Sequence, residues 1–99
     1  MARRIETSRE ALADFDAIYD HIDKESPRAA AGVLRSLDHA IQRLVEQPKL
    51  GRACRNRRQG LRVLVHRPYL VFYRERPGII ELVRVLDGRR NIPDILDEL

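Results

Sequence analysis

Two apolar runs of β-forming residues meet at a Pro-Gly pair in the second half of the chain. Tyr69-Leu-Val-Phe-Tyr-Arg74 precedes Pro77-Gly78, and Ile79-Ile-Glu-Leu-Val-Arg-Val-Leu-Asp87 follows it. Proline presets φ at about −65° and glycine accepts positive φ, so the pair predicts a tight reversal between strands 69–76 and 79–87. Leu61-Arg-Val-Leu-Val-His66 reads as a third strand, joined to the hairpin by a turn at Arg67-Pro68.

Upstream, the apolar period changes from two to about 3.6 residues. Ser8 is placed to cap a helix near 8–24, on which Ala11, Leu12, Phe15, Ile18, Tyr19 and Ile22 form the apolar side. Asp14, Asp16, Asp20 and Asp23 are assigned to its solvated side. Ser26-Pro27 ends that helix and opens another near 27–46, which presents Ala30, Val33, Leu34, Leu37, Ile41, Leu44 and Val45. Leu12 and Leu37 are both expected in the core, so an aspartate at either should unfold the chain. Arg3 to Thr7 reads as an edge strand, Gly51 to Gly60 as a loop or irregular edge strand, and Pro93 opens a short C-terminal helix bearing Ile95, Leu96 and Leu99. The order β-α-α-β-β-β-α predicts an α+β fold: a helical hairpin on one face of a small antiparallel sheet, with residues 1–99 forming one domain.

Charge is distributed unevenly. The net charge is +4, yet residues 52–90 carry eleven arginines, no lysine and only Glu75, Glu81 and Asp87 as acids, a local balance of 11 − 3 = +8. Guanidinium groups match carboxylate and phosphate alike, so the basic strands imply an acidic partner without choosing between protein and nucleic acid. The single Cys54 excludes an internal disulfide and fits a reducing compartment. Met1-Ala-Arg-Arg is not followed by an apolar targeting segment, so a cytoplasmic chain that does not engage membranes is expected. There is no phosphate-binding glycine loop, nucleophile elbow or CxxC pair, and His21 and His39 stand alone without metal-ligand spacing. No metal or cofactor is expected.

Several segments, in order, resemble the RelE/ParE superfamily of type II toxin–antitoxin toxins. They are Ala11-Leu-Ala-Asp14 with Ile18, Ile41 to Leu44 followed by Pro48 and Gly51-Arg52, Gly60-Leu-Arg62, Val71-Phe-Tyr-Arg74, and Val83-Arg-Val-Leu-Asp-Gly-Arg89. The last is most similar to the ParE branch, whose final strand reads R-V-L-H-G-R-x-D. Here Asp87 stands in place of that histidine and Asn91 in place of the aspartate. The resemblance implies a growth-inhibiting toxin, associated with plasmid stabilisation, that is neutralised by an acidic antitoxin with a DNA-binding domain. It would meet operator DNA only through that antitoxin. It also implies DNA gyrase as the target, because characterised ParE proteins poison gyrase.

The RelE branch cleaves messenger RNA on the ribosome, and that chemistry needs a base, an acid and cations around the phosphorane. Catalytic candidates on this reading are Arg62, Arg74, Arg84 and Arg90, with His66 the nearby group that titrates near neutrality. Leu70 and Leu96 fall where the ribonuclease branch places a second cation and a helical tyrosine. The gyrase reading is therefore preferred, without chemistry of the chain's own. Arg62, Arg74, Arg84, Arg89 and Arg90 are the residues expected to face the target or the antitoxin, together with the segment from Pro93 to Leu99. Arg84, flanked by Val83 and Val85, is either that contact or a structural arginine paired with an acid. A direct nucleic-acid-binding module is the competing class, which salt-dependent DNA binding by the isolated chain would reveal.

Overall fold

The computed structural model describes residues 3–54, 60–90 and 92. Strand β1 (Arg4–Thr7) leads into helices α1 (Arg9–Asp23) and α2 (Pro27–Glu46), and four further strands follow: β2 (Arg52–Ala53), β3 (Leu61–His66), β4 (Tyr69–Arg76) and β5 (Ile79–Asp87). The sheet order is β1-β5-β4-β3-β2. Both helix starts are capped as the serines predict: Ser8 Oγ accepts from Ala11 N at 3.0 Å, and Ser26 Oγ from Ala29 N at 3.1 Å. At the β4–β5 reversal, Arg76 lies opposite Ile79 and Gly78 takes φ +72°, a conformation that favours glycine. None of the helices among the described residues is long and apolar enough to cross a membrane.

The sheet is mixed, where an antiparallel one was expected. β2 to β5 are antiparallel neighbours, but β1 runs parallel to β5, with Arg4 opposite Ile79 and Thr7 opposite Leu82. Only strands joined by tight turns must reverse direction. A helical hairpin separates β1 from the rest of the sheet, so no turn dictates its sense. The predicted irregular edge is the two-residue strand β2, whereas the predicted C-terminal helix lies outside the described residues.

Both faces of the central strands are covered, which explains their nearly continuous apolar runs. On the helical side, Ala11, Leu37, Ile41 and Leu44 pack with Tyr69, Val71, Tyr73, Ile80, Leu82 and Val85. On the other side, Leu61, Val63, Phe72, Val83 and Leu86 form a second cluster, against which Cys54, Leu70 and Ile92 rest. A bulge makes this partition possible. Phe72 lies opposite Arg84 and Tyr73 opposite Leu82, so Val83 is an extra residue in β5. Without it, strict alternation would send Leu82 and Val85 to opposite faces.

β1 stops at Thr7, and α1 takes over its place beside β5. Ser8 N donates to Leu82 O at 3.0 Å, and Ser8 Oγ donates to Val83 O at 2.9 Å while capping the helix. Nearly two turns further along α1, Asp14 accepts the Arg84 guanidinium through both carboxylate oxygens, each bond 2.8 Å, and the Val85 N–H at 2.9 Å. The helix thereby supplies hydrogen-bond partners that a neighbouring strand would otherwise provide. Asp14 was assigned to the solvated side of α1; its side chain is instead only 10% exposed. Its spacing from Ala11 and Ile18, three and four residues, puts it on the buried stripe.

That stripe is narrower than the apolar pattern implied. Ala11 is buried and Phe15 and Ile18 pack on the core, but Leu12 and Tyr19 are 55% and 37% exposed. α1 packs between α2 and β5, and residues one position off the stripe turn outward. Leu12 is therefore not a core residue, and its aspartate variant should fold with a small change in urea midpoint. Leu37 is fully buried, so Leu37→Asp strands a charge among aliphatic groups, costing several kcal/mol of a typical total of about 5–15 kcal/mol. Loss of a cooperative urea transition in Leu37→Asp, with retention in Leu12→Asp, is the expected result. Asp14→Ala leaves Arg84 and the Val85 N–H without this acceptor. A penalty of about 2–3 kcal/mol is expected, less than for a fully desolvated pair because Arg84 keeps some solvent contact. The same urea experiment measures it.

Candidate functional site

The arginines singled out from sequence do not converge. Arg62 lies opposite Tyr73 and Arg74 opposite Leu61, one register step apart, so their side chains leave opposite faces of the sheet. Arg62 Nη1 donates to Gly51 O, while Arg74 pairs with Glu81 at 3.5 Å and Arg76 shares that carboxylate at 3.1 Å. Arg84 is turned onto Asp14. Arg89 donates to both oxygens of Asp87, through Nε at 2.9 Å and through Nη2. Each of these guanidinium groups thus has an acceptor on the same chain.

His66, the candidate proton carrier, sits at the end of β3 with Nε2 2.8 Å from Ser36 Oγ on α2. It lies opposite Tyr69 in the β3–β4 register. Tyr69 and Tyr73, four residues apart on β4 and so on one face, both belong to the helix-facing core. Tyr73 is fully buried and its hydroxyl donates to Pro48 O at 2.7 Å while accepting from Gly51 N at 2.8 Å. A Cβ on Gly51 would come within 2.7 Å of the Tyr73 ring, so glycine is needed for the loop to close over it. Burial raises the pKa of both phenols, which keeps them protonated at neutral pH.

One groove does gather several chemistry-bearing groups. It lies between α1 and the ends of β4 and β5, holds about 280 Å³, and is lined by Asp14, Ala17, Ile18, His21, Tyr69, Val85, Asp87 and Arg90. Its lining combines the apolar Ala17, Ile18 and Val85 with the charged Asp14, Asp87 and Arg90. Of the predicted residues it brings together Arg90 and, through Asp14 and Asp87, the partners of Arg84 and Arg89. Arg62 and Arg74 lie elsewhere in the sheet. Asp14, His21 and Tyr69 were not among the predicted site residues. For Asp14 the stripe spacing was the available signal; for His21 and Tyr69 nothing in the sequence indicated a shared groove. Asn91 and the segment from Pro93 to Leu99 lie outside the described residues. Among the described residues no three His, Cys, Asp or Glu side chains cluster in a way that suits a metal ion.

Asp87 occupies the position where the resembling family has histidine, and it acts here as a local staple. Its carboxylate accepts from the Arg89 side chain and from Arg89 N at 2.9 Å, while Gly88 N donates to Pro68 O at 2.7 Å. The Arg89 side-chain bonds, then its backbone N–H, lower the Asp87 pKa from 3.8 to about 2. A depressed carboxylate pKa stabilises the folded chain above the unfolded value of 3.8, and that contribution is lost as pH falls toward about 2. A ¹³C-detected carboxylate titration should give a midpoint near 2 for Asp87, and Arg89→Ala should move it up toward 3.8.

The family model for the ParE toxin of the type II toxin–antitoxin system parDE matches residues 5–92. Toxin ParE1 of Mycobacterium tuberculosis is 37% identical over 94 residues, covering 93% of this chain and 96% of the relative. Toxin RelE2 of Caulobacter vibrioides is 36% identical over 90 residues, covering 91% and 99%. A solved chain from the chromosomal ParDE system of P. aeruginosa superposes with a TM-score of 0.72 at 25% identity, covering 87% of this chain and 96% of that one. With this match across nearly its whole length, and with the helical hairpin and five-stranded sheet that go with it, the chain belongs to the ParE toxin family of type II toxin–antitoxin systems.

Proposed function

We propose that this toxin arrests growth in the cytoplasm by acting on DNA gyrase, and that a cognate acidic antitoxin with a DNA-binding domain holds it inactive. The carrying observation is the engagement of its cations. Arg62, Arg74 and Arg84 would have to meet Arg90 around one phosphate in a ribonuclease. Arg62 is bonded to Gly51 O, Arg74 to Glu81 and Arg84 to Asp14. They leave different parts of the sheet. Arginine is also a poor base, because it remains protonated in proteins. A binding toxin needs no such convergence, only a complementary surface.

On this reading the groove between α1 and β5, with Arg84, Arg89 and Arg90 beside it, faces the target. Operator DNA is contacted through the antitoxin rather than by this chain. Expression of the free toxin should trap cleaved DNA on gyrase and induce the DNA-damage response while transcripts stay intact. Co-expression of a small acidic frame encoded beside it should restore growth. Rapid, codon-positioned cutting of messenger RNA with undamaged DNA would instead support the ribosome-dependent endonuclease and sink the gyrase reading. Arg90→Glu should weaken the arrest by about tenfold in inducer dose, since charge reversal at a recognition rim acts on encounter and specificity.

A further inference from the structure

Tyr69 carries a polar group that the chain itself leaves unused. The residue is only 9% exposed, and it packs in the helix-facing core. Among the described residues its hydroxyl makes no hydrogen bond. Tyr73, four residues along the same strand, is bonded twice, to Pro48 and Gly51. A buried phenol normally finds such a partner. The Tyr69 oxygen is also not sealed from outside, because no fully enclosed side-chain oxygen or nitrogen among the described residues is left unpaired. Tyr69 lines the groove between α1 and the ends of β4 and β5, and the hydroxyl is the polar group it brings there.

By count, the groove sets two acids, Asp14 and Asp87, against one arginine, Arg90. Both carboxylates are already engaged within the chain. Asp14 accepts two bonds from Arg84, and Asp87 accepts two from the side chain of Arg89. Arg90 forms no ion pair among the described residues. One positive charge is therefore left over. Beside it stands a phenol that burial, then the Asp87 charge, keeps protonated and so able to donate. Ala17, Ile18 and Val85 supply apolar surface. At about 280 Å³ the groove is at the small end of ligand sites, with room for a compact ring system.

We propose that this groove is a binding site for a small aromatic carboxylate, whose ring lies against Ile18 and Val85 and whose carboxylate takes the Tyr69 hydroxyl and the Arg90 guanidinium. The charge is matched one for one, and a guanidinium fork fits the two oxygens of a carboxylate. A phosphate dianion fits less well, because its second charge meets Asp14 and Asp87 with no further cation to offset it. An aromatic body is favoured over an aliphatic one of equal size, since the Tyr69 ring offers it an aromatic neighbour. The site goes beyond the gyrase reading and does not rest on it. Where that reading holds, a bound acid competes with the target for the same face.

The probe is indole-3-acetate, titrated into the ¹⁵N-labelled full chain. Saturable shifts centred on the Ala17, Ile18, His21, Val85 and Arg90 amides are expected, with a Kd on the order of 1 mM or tighter. Indole-3-acetamide, which keeps the shape and loses the charge, should bind about tenfold more weakly. Acetate and tryptamine, lacking the ring or carrying the opposite charge, should leave these amides unmoved. Tyr69→Phe and Arg90→Gln should each weaken the probe by about tenfold. Tyr69→Phe should also keep the urea midpoint of the parent chain, because its hydroxyl has no partner to lose. A fallen midpoint would mean that the hydroxyl serves the fold, and would overturn the proposal. So would absence of saturable binding, shifts centred elsewhere, equal affinity for the amide, or full affinity in Tyr69→Phe. A blocked peptide with the same two groups, Ac-Gly-Trp-Glu-NH₂, that binds more tightly than the free acid would assign the groove to a protein segment instead. Growth arrest is scored without the probe, so the gyrase reading and this site stand or fall separately.

Discussion

The carboxylate of Asp14 is the contact that joins the two layers of this protein at the point where the sheet runs out of strands. β1 is only four residues long and ends opposite Leu82, while β5 continues to Asp87. A strand edge left bare inside a fold exposes N–H and C=O groups that have no solvent to turn to. α1 resolves this with two side chains: Ser8 takes up the Val83 carbonyl, and Asp14 takes up the Val85 N–H. The Arg84 fork then balances the charge that the first of these solutions does not need and the second introduces. A carboxylate this enclosed is tolerated because it accepts three donors at 2.8–2.9 Å.

The bulge at Val83 belongs to the same device. An extra residue in β5 resets which face each later side chain meets, so that Val85 joins the helical core and Leu86 the opposite cluster. It also places Arg84 at the register break, from which it reaches α1 rather than standing in line with the strand. Bulges commonly re-aim a side chain in this way. Toward the other edge of the sheet, on the same helical face, Tyr73 does comparable work for the loop after α2. Its hydroxyl fastens Pro48 and Gly51, which brings β2 to the outer edge and leaves Val65 beyond its reach.

These internal bonds alter what the excess of arginine means. A count of charges suggests one broad basic surface over residues 52–90. In the fold, several of these arginines are held by carboxylates that lie close in space, two of them on neighbouring segments. Glu81 serves Arg74 and Arg76, and Asp87 serves Arg89, while Asp14 reaches Arg84 across 70 residues of chain. Among the described residues, Arg43, Arg52 and Arg67 have no such partner, and they arrive at the β3 edge from three elements. How much of this charge is left unpaired is therefore set by its placement more than by its amount.

Much of the fold could be read directly from local pattern. Ser8 and Ser26-Pro27 marked both helix starts, Pro77-Gly78 marked the hairpin, and the strands 61–66, 69–76 and 79–87 had the limits expected of them. These signals are short-range: caps, fixed φ values and apolar periods act over one or two turns of chain. The order of segments was enough to expose the family resemblance. The sense of β1, the exposure of Leu12 and Tyr19, the inward turn of Asp14 and the assembly of His21, Tyr69 and Arg90 around one groove were not legible. Each depends on which residues distant in sequence become neighbours, and a helix face or a strand direction has no local energy that records it. The chain's residues determined what could form at each step; only packing decided which charges would be used up inside the molecule and which would remain for a partner.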